Sequence, residues 1–273
     1  MAASLDGVVE IDQVRGTVVV SGWDRPKVEV TGRLGRDLDS VLLERRGERV
    51  LLRVHESLRG ASADLSIRVP RGARLEIESM SLDLRVTGVE GGVDSNVVSG
   101  TQRLTGSGMD SGVVRLETVS GVLQVDGLLG ELVLLAVSGP VGVDATVRQL
   151  RVDTVNGPQD LRLQGVRRAH VDSLNGPVAL NLLGFSAPAV VRATTFNGTL
   201  DLGLGAGTPA LIDAAAKHGR IDNQLGGDER RREMSGYQAA LETRVGAQED
   251  LEEPSAQVSV STYRGDILLR PLR

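Results

Sequence analysis

A short phrase, an apolar residue followed by Ser or Asn and then Gly, recurs through the middle of this 273-residue chain. The clearest pair is VDTVNGP, ending at Pro158, and VDSLNGP, ending at Pro177. Six copies place their glycines at positions 100, 121, 139, 157, 176 and 198, so the spacing lies between 18 and 22 residues. Weaker copies occur at Leu82, Gly219 and Gly265. A fixed period in this range is the signature of a solenoid, in which each unit stacks on its neighbours.

Within each unit, apolar and polar residues alternate with a period of two. The second and fourth positions after the corner glycine are apolar in most units, as where Leu200 and Leu202 flank Asp201. Such alternation is typical of a strand with one face inward and one outward. Each unit is therefore predicted to form two short strands, with a second corner at glycines such as Gly127 and Gly165.

Together these patterns predict an all-β chain, a single-stranded parallel β-solenoid (β-helix or β-roll) with rungs of about 19 residues and irregular terminal strands. The chain divides into an N-terminal β cap with the first strands (residues 1–74) and regular solenoid repeats (75–225). A charged insertion (226–257) and a final β rung (258–273) follow.

Parallel stacking would bring the residue before each corner glycine into one column. Asn and Gly tolerate the positive φ of a sharp corner, and stacked Asn side chains can hydrogen-bond along a column. We predict a structural corner column, which consists of Ser99, Ser120, Ser138, Asn156, Asn175 and Asn197.

The charged insertion interrupts the period near the end of the chain. Its residues Met234, Tyr237, Leu241 and Val245 fall at helical spacing, which favours a short amphipathic helix, with a polar loop as the alternative. The insertion is predicted to help cap the C-terminal end of the coil, where unpaired strand edges invite association, and the competing interpretation is a mobile surface loop without contact to that edge.

Composition excludes several classes of function. The net charge is only −5, with both signs interspersed, so no basic field is present for nucleic acid. There is no cysteine for a disulfide or a thiolate site. No apolar run approaches the ~18 residues of a membrane-spanning helix. The N-terminus does not resemble a signal peptide, so we expect a soluble chain, cytoplasmic as written and exported or envelope-associated if a leader precedes it.

No pattern of residues predicts a metal or cofactor site. The three histidines, His55, His170 and His218, share no ligand spacing and fall in different repeats. A GxGxG spacing begins at Gly203, but no Lys followed by Ser or Thr completes a phosphate loop, so a turn is predicted there.

Clustered acids raise the alternative of a catalytic pair, because some β-helix enzymes cleave sugars with carboxylates. Glu117, Asp153 and Asp172 all lie four residues before a corner glycine, and the last two should occupy adjacent turns. Neighbouring arginines, Arg151 and either Arg167 or Arg168, should neutralise them, and no aromatic platform for a sugar ring is visible. We therefore predict no catalytic residue.

Three stretches carry a family resemblance: VSGWDRPKVEVTG, LSIRVPRGARLEIE and the tandem VSG and VNG units. They resemble the bacterial "putative adhesin" family, a β-strand-repeat domain of unknown function, over roughly residues 18–269. The resemblance implies a right-handed β-solenoid or β-roll without a known catalytic site. Members are commonly exported or linked to envelope stress.

The functional expectation is a non-enzymatic scaffold, adhesin-like or envelope-associated, without a cofactor. Its partner would be an unknown protein or a cell-surface component, not nucleic acid, with self-association through the solenoid ends as a further mode. The alternative is a carbohydrate-active β-helix enzyme of the lyase or hydrolase kind, which fold analogy alone favours.

Overall fold

The computed structural model describes residues 1–12, 15–35, 38–56, 62–108, 112–231, 233–246 and 256–272. Over these ranges the chain is all-β, with 21 strands and no helix. Accordingly, no described segment forms a helix long and apolar enough to cross a bilayer. The chain divides into two compact units, Met1–Ala136 and Val137–Arg273.

The first unit is built on long parallel strands. β7, β8 and β9 pair in parallel, with Leu75 opposite Val93 and Val93 opposite Val114. The strands are β1 (Val8–Asp12), β2 (Arg15–Trp23), β3 (Glu29–Leu34), β4 (Leu38–Arg46), β5 (Arg49–Glu56), β6 (Ala63–Pro70), β7 (Arg74–Thr87), β8 (Val93–Gly108) and β9 (Val114–Ser138), the last of which reaches the unit boundary.

The first two strands of the chain lie inside this unit and not at its edge. β1 pairs in parallel with β5 on one side and β7 on the other, and β2 lies in the same way between β6 and β7. The outer edges of β5 and β6 are covered by antiparallel strands, β4 on β5 and β3 on β6. The sheet is therefore mixed.

The second unit repeats one strand before each corner glycine and one after it. Its strands are β10 (Val141–Asn156), β11 (Gln159–Gln164), β12 (Val166–Asn175), β13 (Val178–Leu182), β14 (Phe185–Asn197), β15 (Leu200–Leu204), β16 (Ala210–His218), β17 (Ile221–Asn223), β18 (Asp228–Arg231), β19 (Ala239–Val245), β20 (Ala256–Arg264) and β21 (Ile267–Pro271). The strands before the corner form one parallel ladder, the pre-corner ladder, and those after it form a second, the post-corner ladder.

Stacking order differs from chain order at the end of this unit. β20 lies between β14 and β16, so Arg264 faces both Asn197 and His218. β21 lies likewise between β15 and β17. The last strand pair, β20 and β21, therefore lies between two pairs that precede it in the chain. These are β14 and β15 on one side and β16 and β17 on the other.

The helix that the spacing within the insertion favours is not found. The described part of the insertion forms β18 and β19, with β19 antiparallel to β16 and β18 antiparallel to β19. Met234 and Tyr237 lie in the turn between them, while Leu241 and Thr243 are buried. Inward positions therefore recur every second residue along β19, and pairing with β16 overrides the helical spacing. Residues 247–255 lie outside the described ranges.

The core of the second unit consists of stacked aliphatic side chains. In the post-corner ladder, Leu161, Leu180, Leu202 and Leu269 occupy successive strands in register, and all are fully buried. Each fully buried leucine contributes roughly 1.5–3 kcal/mol relative to an exposed one. No aromatic side chain is among the buried residues in the described ranges, so stability depends on repeating this aliphatic contact strand after strand.

Gly and Asn have different roles at the corners. Gly157 and Gly176 have φ of +131° and +142°. A Cβ at either glycine would lie 2.2 Å from the preceding corner's carbonyl oxygen, so no larger residue fits. No described residue other than glycine has positive φ, so the asparagines serve the corner only through their side chains.

Candidate binding groove

Two columns of outward side chains run side by side across the pre-corner ladder of the second unit. Positions two apart on a strand face the same side, so the columns bound a groove of about 510 Å³. The polar column consists of Asp153, Asp172, Thr194 and Ser261, which are in register on β10, β12, β14 and β20. The aromatic column consists of Leu174, Phe196, Tyr263 and Lys217. Tyr237, from the turn between β18 and β19, also lines the groove.

The aromatic column contains a stacked pair of rings. The centroids of Phe196 and Tyr263 are 4.5 Å apart and their planes differ by 9°. The Lys217 ammonium lies 4.7 Å from the centroid of the Tyr263 ring, and His218 meets that ring edge-on at 5.3 Å. Offset-stacked pairs of this kind contribute about 0.5–1.5 kcal/mol beyond the area they bury.

The expectation that no aromatic platform exists was wrong. Three of the five aromatic residues in the chain, Phe196, Tyr237 and Tyr263, line this one groove. β20 is inserted beside β14 and is in register with it. Phe196 and Tyr263 therefore lie next to each other, although they are 67 residues apart in the sequence. The signal was present, because TFNG and TYRG place an aromatic residue at the same position of the repeat phrase.

The apolar residue of the repeat phrase faces solvent. Val155, Leu174 and Phe196 are 38%, 46% and 43% exposed, whereas the residues just before them, such as Ser173 and Thr195, are buried. A row of exposed apolar side chains on a sheet is unusual for a face without a partner and typical of an interaction surface.

The two acids that were expected on adjacent turns are adjacent. Asp153 lies opposite Asp172, and both line the groove on its polar wall. Arg151 forms an ion pair with Asp153 at 2.8 Å, as expected. The partner of Asp172 is His170, whose Nε2 lies 2.8 Å from Oδ2, and not Arg167 or Arg168.

One carboxylate oxygen in this wall has no partner. Asp153 Oδ1 is buried and accepts no hydrogen bond from the described residues. The third candidate acid, Glu117, belongs to the first unit, where it pairs with Arg115. Of the three candidate acids, Asp153 and Asp172 are therefore the adjacent pair.

The asparagines of the corner column lie on the strands that form the groove. Asn175 Nδ2 donates to Asn156 Oδ1 at 3.0 Å, and Asn197 Nδ2 donates to Asn175 Oδ1 at 2.9 Å. Ser138 precedes Gly139, whose N–H donates to the carbonyl of Asn156. In the first unit Ser99 lies opposite Ser120 and donates to the carbonyl of Met80 at 3.1 Å. These contacts are structural, since they join strand to strand.

The remaining candidates do not assemble into a chemical site. Within the described ranges, no group of three or more His, Asp or Glu side chains is close enough to hold a metal ion. The side chain of His55 lies outside the described residues. Gly203 lies within β15, and Gly207 takes a φ of +71° in the turn that follows.

Comparison with known proteins gives one structural likeness. No family model matches the chain, and no curated protein matches it. It is similar to a crystal structure of a "putative cell adhesion protein" from Clostridium sporogenes ATCC 15579. The identity is 11%, the TM-score is 0.29, and the match covers 99% of this chain and 94% of the other. A TM-score at this level carries no argument about function.

Proposed function

We propose that the chain is a non-enzymatic binding scaffold of the adhesin-like or envelope-associated kind, which holds a protein or cell-surface partner in the groove of its second unit. In this proposal each corner-linked strand pair is one rung of about 19 residues in a parallel β-solenoid. Support for the rungs comes from the register, since Val152 faces Val171 and Asn156 faces Asn175.

The observation that carries the proposal is the exposed aromatic column beside a polar wall. Aromatic side chains that keep exposed surface beside a concave polar wall are typical of binding surfaces, where they supply most of the affinity. Phe196 keeps 43% of its surface exposed although one face of its ring is stacked on Tyr263.

Co-sedimentation with a bacterial envelope preparation tests this function. The parent chain should sediment with the envelope, and Phe196→Ala should weaken that binding about tenfold, as the loss of one packed aromatic contact does. Val190→Ala is the matched control, because Val190 is an exposed apolar residue of the same strand outside the groove. Equal sedimentation of the parent and Phe196→Ala, or none by the parent, would count against a binding groove.

The enzyme alternative is favoured by one observation, the adjacent acids in the groove. Asp153 and Asp172 lie on the same wall, on neighbouring strands, where Asp153 forms an ion pair with Arg151 and Asp172 contacts His170 Nε2. Glycoside hydrolysis requires two carboxyl groups that flank the scissile bond. Release of reducing ends from a polysaccharide by the parent chain, abolished in Asp172→Asn, would replace the scaffold proposal with the enzyme.

A further inference from the structure

We infer that the ligand of this groove is a neutral saccharide, which packs its C–H surface on the aromatic column and hydrogen-bonds its hydroxyls to the polar column. The inference rests on the proposed binding function and names the class of ligand. A volume of about 510 Å³ is in the range of small-ligand sites, roughly 300–1,000 Å³.

The aromatic side of the groove suits an apolar, non-aromatic ring. Tyr263 has one face covered by Phe196, and Lys217 lies 4.7 Å from its centroid. The most exposed aromatic side chains of the groove are Phe196 and Tyr237, both more than one-third exposed. Such surfaces bury apolar area without a charge of their own.

The polar side offers acceptors to hydroxyl donors. Asp153 and Asp172 each contact a side chain through Oδ2, Arg151 and His170 respectively, and neither of these partners lines the groove. Asp153 Oδ1 has no hydrogen-bond partner among the described residues, so the acceptor capacity of this carboxylate is not used up within the chain. Hydroxyl groups on Thr194 and Ser261 continue the same wall. Hydrogen bonds from ligand hydroxyls to ionised carboxylates are about twice as strong as neutral ones.

Charge distribution disfavours a charged ligand. A cation would compete with Lys217 for the Tyr263 ring and with Arg151 for Asp153. An anion would approach two adjacent carboxylates. A neutral ligand with several hydroxyls meets acceptors at one wall and the ammonium of Lys217 at the other, without displacing an existing ion pair.

Affinity gel electrophoresis tests the ligand class, with xylan, glucomannan or dextran as neutral polysaccharides in the gel. Polygalacturonate and chitosan serve as the charged counterparts. At least one neutral gel should retard the parent chain. Phe196→Ala and Tyr237→Ala should each lower the affinity about tenfold, the effect of one aromatic contact, while Val190→Ala should leave it unchanged. Asp172→Asn should weaken binding several-fold, because a charge-assisted acceptor becomes a neutral one.

Tyr237→Ala keeps the test valid if Phe196→Ala perturbs folding, because Tyr237 is in an exposed turn. Retardation only in the charged gels, in none, or equally for parent and both aromatic variants would overturn the saccharide assignment. Continued sedimentation of the parent with envelope, lost in Phe196→Ala, would then show that the groove binds a ligand of another class. Loss of both results would end the binding function as well.

Discussion

The two ends of the chain build the same arrangement and protect it differently. At the N-terminal end, β1 and β2 are inserted between β7 and the outer pair β5 and β6. At the C-terminal end, β20 and β21 are inserted between β14 and β15 and the outer pair β16 and β17. In each unit, therefore, the strands nearest the chain terminus lie inside the sheet. The strands outside them come from segments farther from that terminus.

The difference lies in how the outer edges are covered. The N-terminal outer pair has two long strands, and an antiparallel strand covers each of them. The C-terminal outer pair has one long strand, β16, which β19 and then β18 cover, and one strand of three residues, β17. Both covering and shortening reduce the number of unpaired edge groups that another molecule could bind.

The largest expected effect comes from burying a charge in an inserted pair. Val260 is 1% exposed between Ala193 and Ala214, and Val20 is fully buried between Ile67 and Val86. Val260→Asp and Val20→Asp should each lower the free energy of unfolding of their own unit by several kcal/mol, since an unpaired charge is buried. Urea unfolding measures this.

The matched controls for these variants are exposed residues of the same strands, Gln257→Asp in β20 and Val19→Asp in β2. Both should change stability by less than about 0.5 kcal/mol, as surface substitutions do. If only one of the two buried variants is destabilised, the two chain ends are not equivalent in their packing.

Replacing residues 227–246 with a Gly-Ser linker should produce the next largest effect, because it uncovers β16. The exposed edge should cause concentration-dependent oligomers or fibres, measured by light scattering. Met234→Ser is the control, since Met234 is exposed in a turn and makes no strand pairing. If the linker variant stays as monodisperse and heat-stable as the parent, covering β16 has no role in preventing association.

The asparagine column should contribute more than the serines at the corresponding corners of the first unit. Asn175→Ala removes two side-chain hydrogen bonds and Asn156→Ala removes one. At about 1 kcal/mol per bond, the first should cost about twice the second in thermal unfolding. Ser99→Ala, with one exposed bond to a carbonyl, should cost the least. Equal losses for Asn175→Ala and Asn156→Ala would show that the column does not act through these bonds.

The smallest effect concerns acid pH at the outermost strands. The hydrogen bond from Arg46 lowers the pKa of Glu44 in β4. Hydrogen bonds from Asn223 and then Arg231 lower the pKa of Glu229 in β18. A lowered folded-state pKa stabilises the fold above the unfolded value of about 4.3, and this contribution is lost as pH falls through the folded pKa.

Carboxyl-carbon NMR titration should find both glutamates below their usual range. With Glu44→Gln or Glu229→Gln, the free energy of unfolding should fall less steeply as the pH drops below about 4. Both carboxylates are exposed, so the effect should be slight and salt-sensitive. If either glutamate titrates at its ordinary value, its strand gains no pH-dependent stabilisation from that carboxylate.

The repeat period was sufficient to predict the strand breaks at Gly157, Gly176 and Gly198 and the adjacency of Asp153 and Asp172. It was wrong for the first unit, where β8 and β9 run through Gly100 and Gly121 without a break. It could not predict stacking order, because the period shows which segments are equivalent and not which are neighbours. AKHG and TYRG both fit the phrase, and only the packed structure shows that the later one is interior. The stacked pair of Phe196 and Tyr263 was missed for the same reason.

The misassigned helix has a different cause. Met234, Tyr237, Leu241 and Val245 match a helical period by spacing alone, but the first two lie in a turn and the last two in a strand. A four-residue pattern that crosses an element boundary carries little information about either element. Pairing of Ala239–Val245 with β16 is a long-range contact that no local pattern encodes.

Insertion of the last strand pair also sets an order of events during protein synthesis. β16 emerges from the ribosome before β20 and can pair first with β19, which also precedes β20 in the chain. Its parallel neighbour is supplied only when residues 256–264 have been translated, and β14 waits for the same strand. Until β20 and β21 have been made, the edges with which they pair, on β14, β15, β16 and β17, stay open. The interval before residues 256–264 and 267–271 have emerged is therefore the one in which the second unit is most open to association.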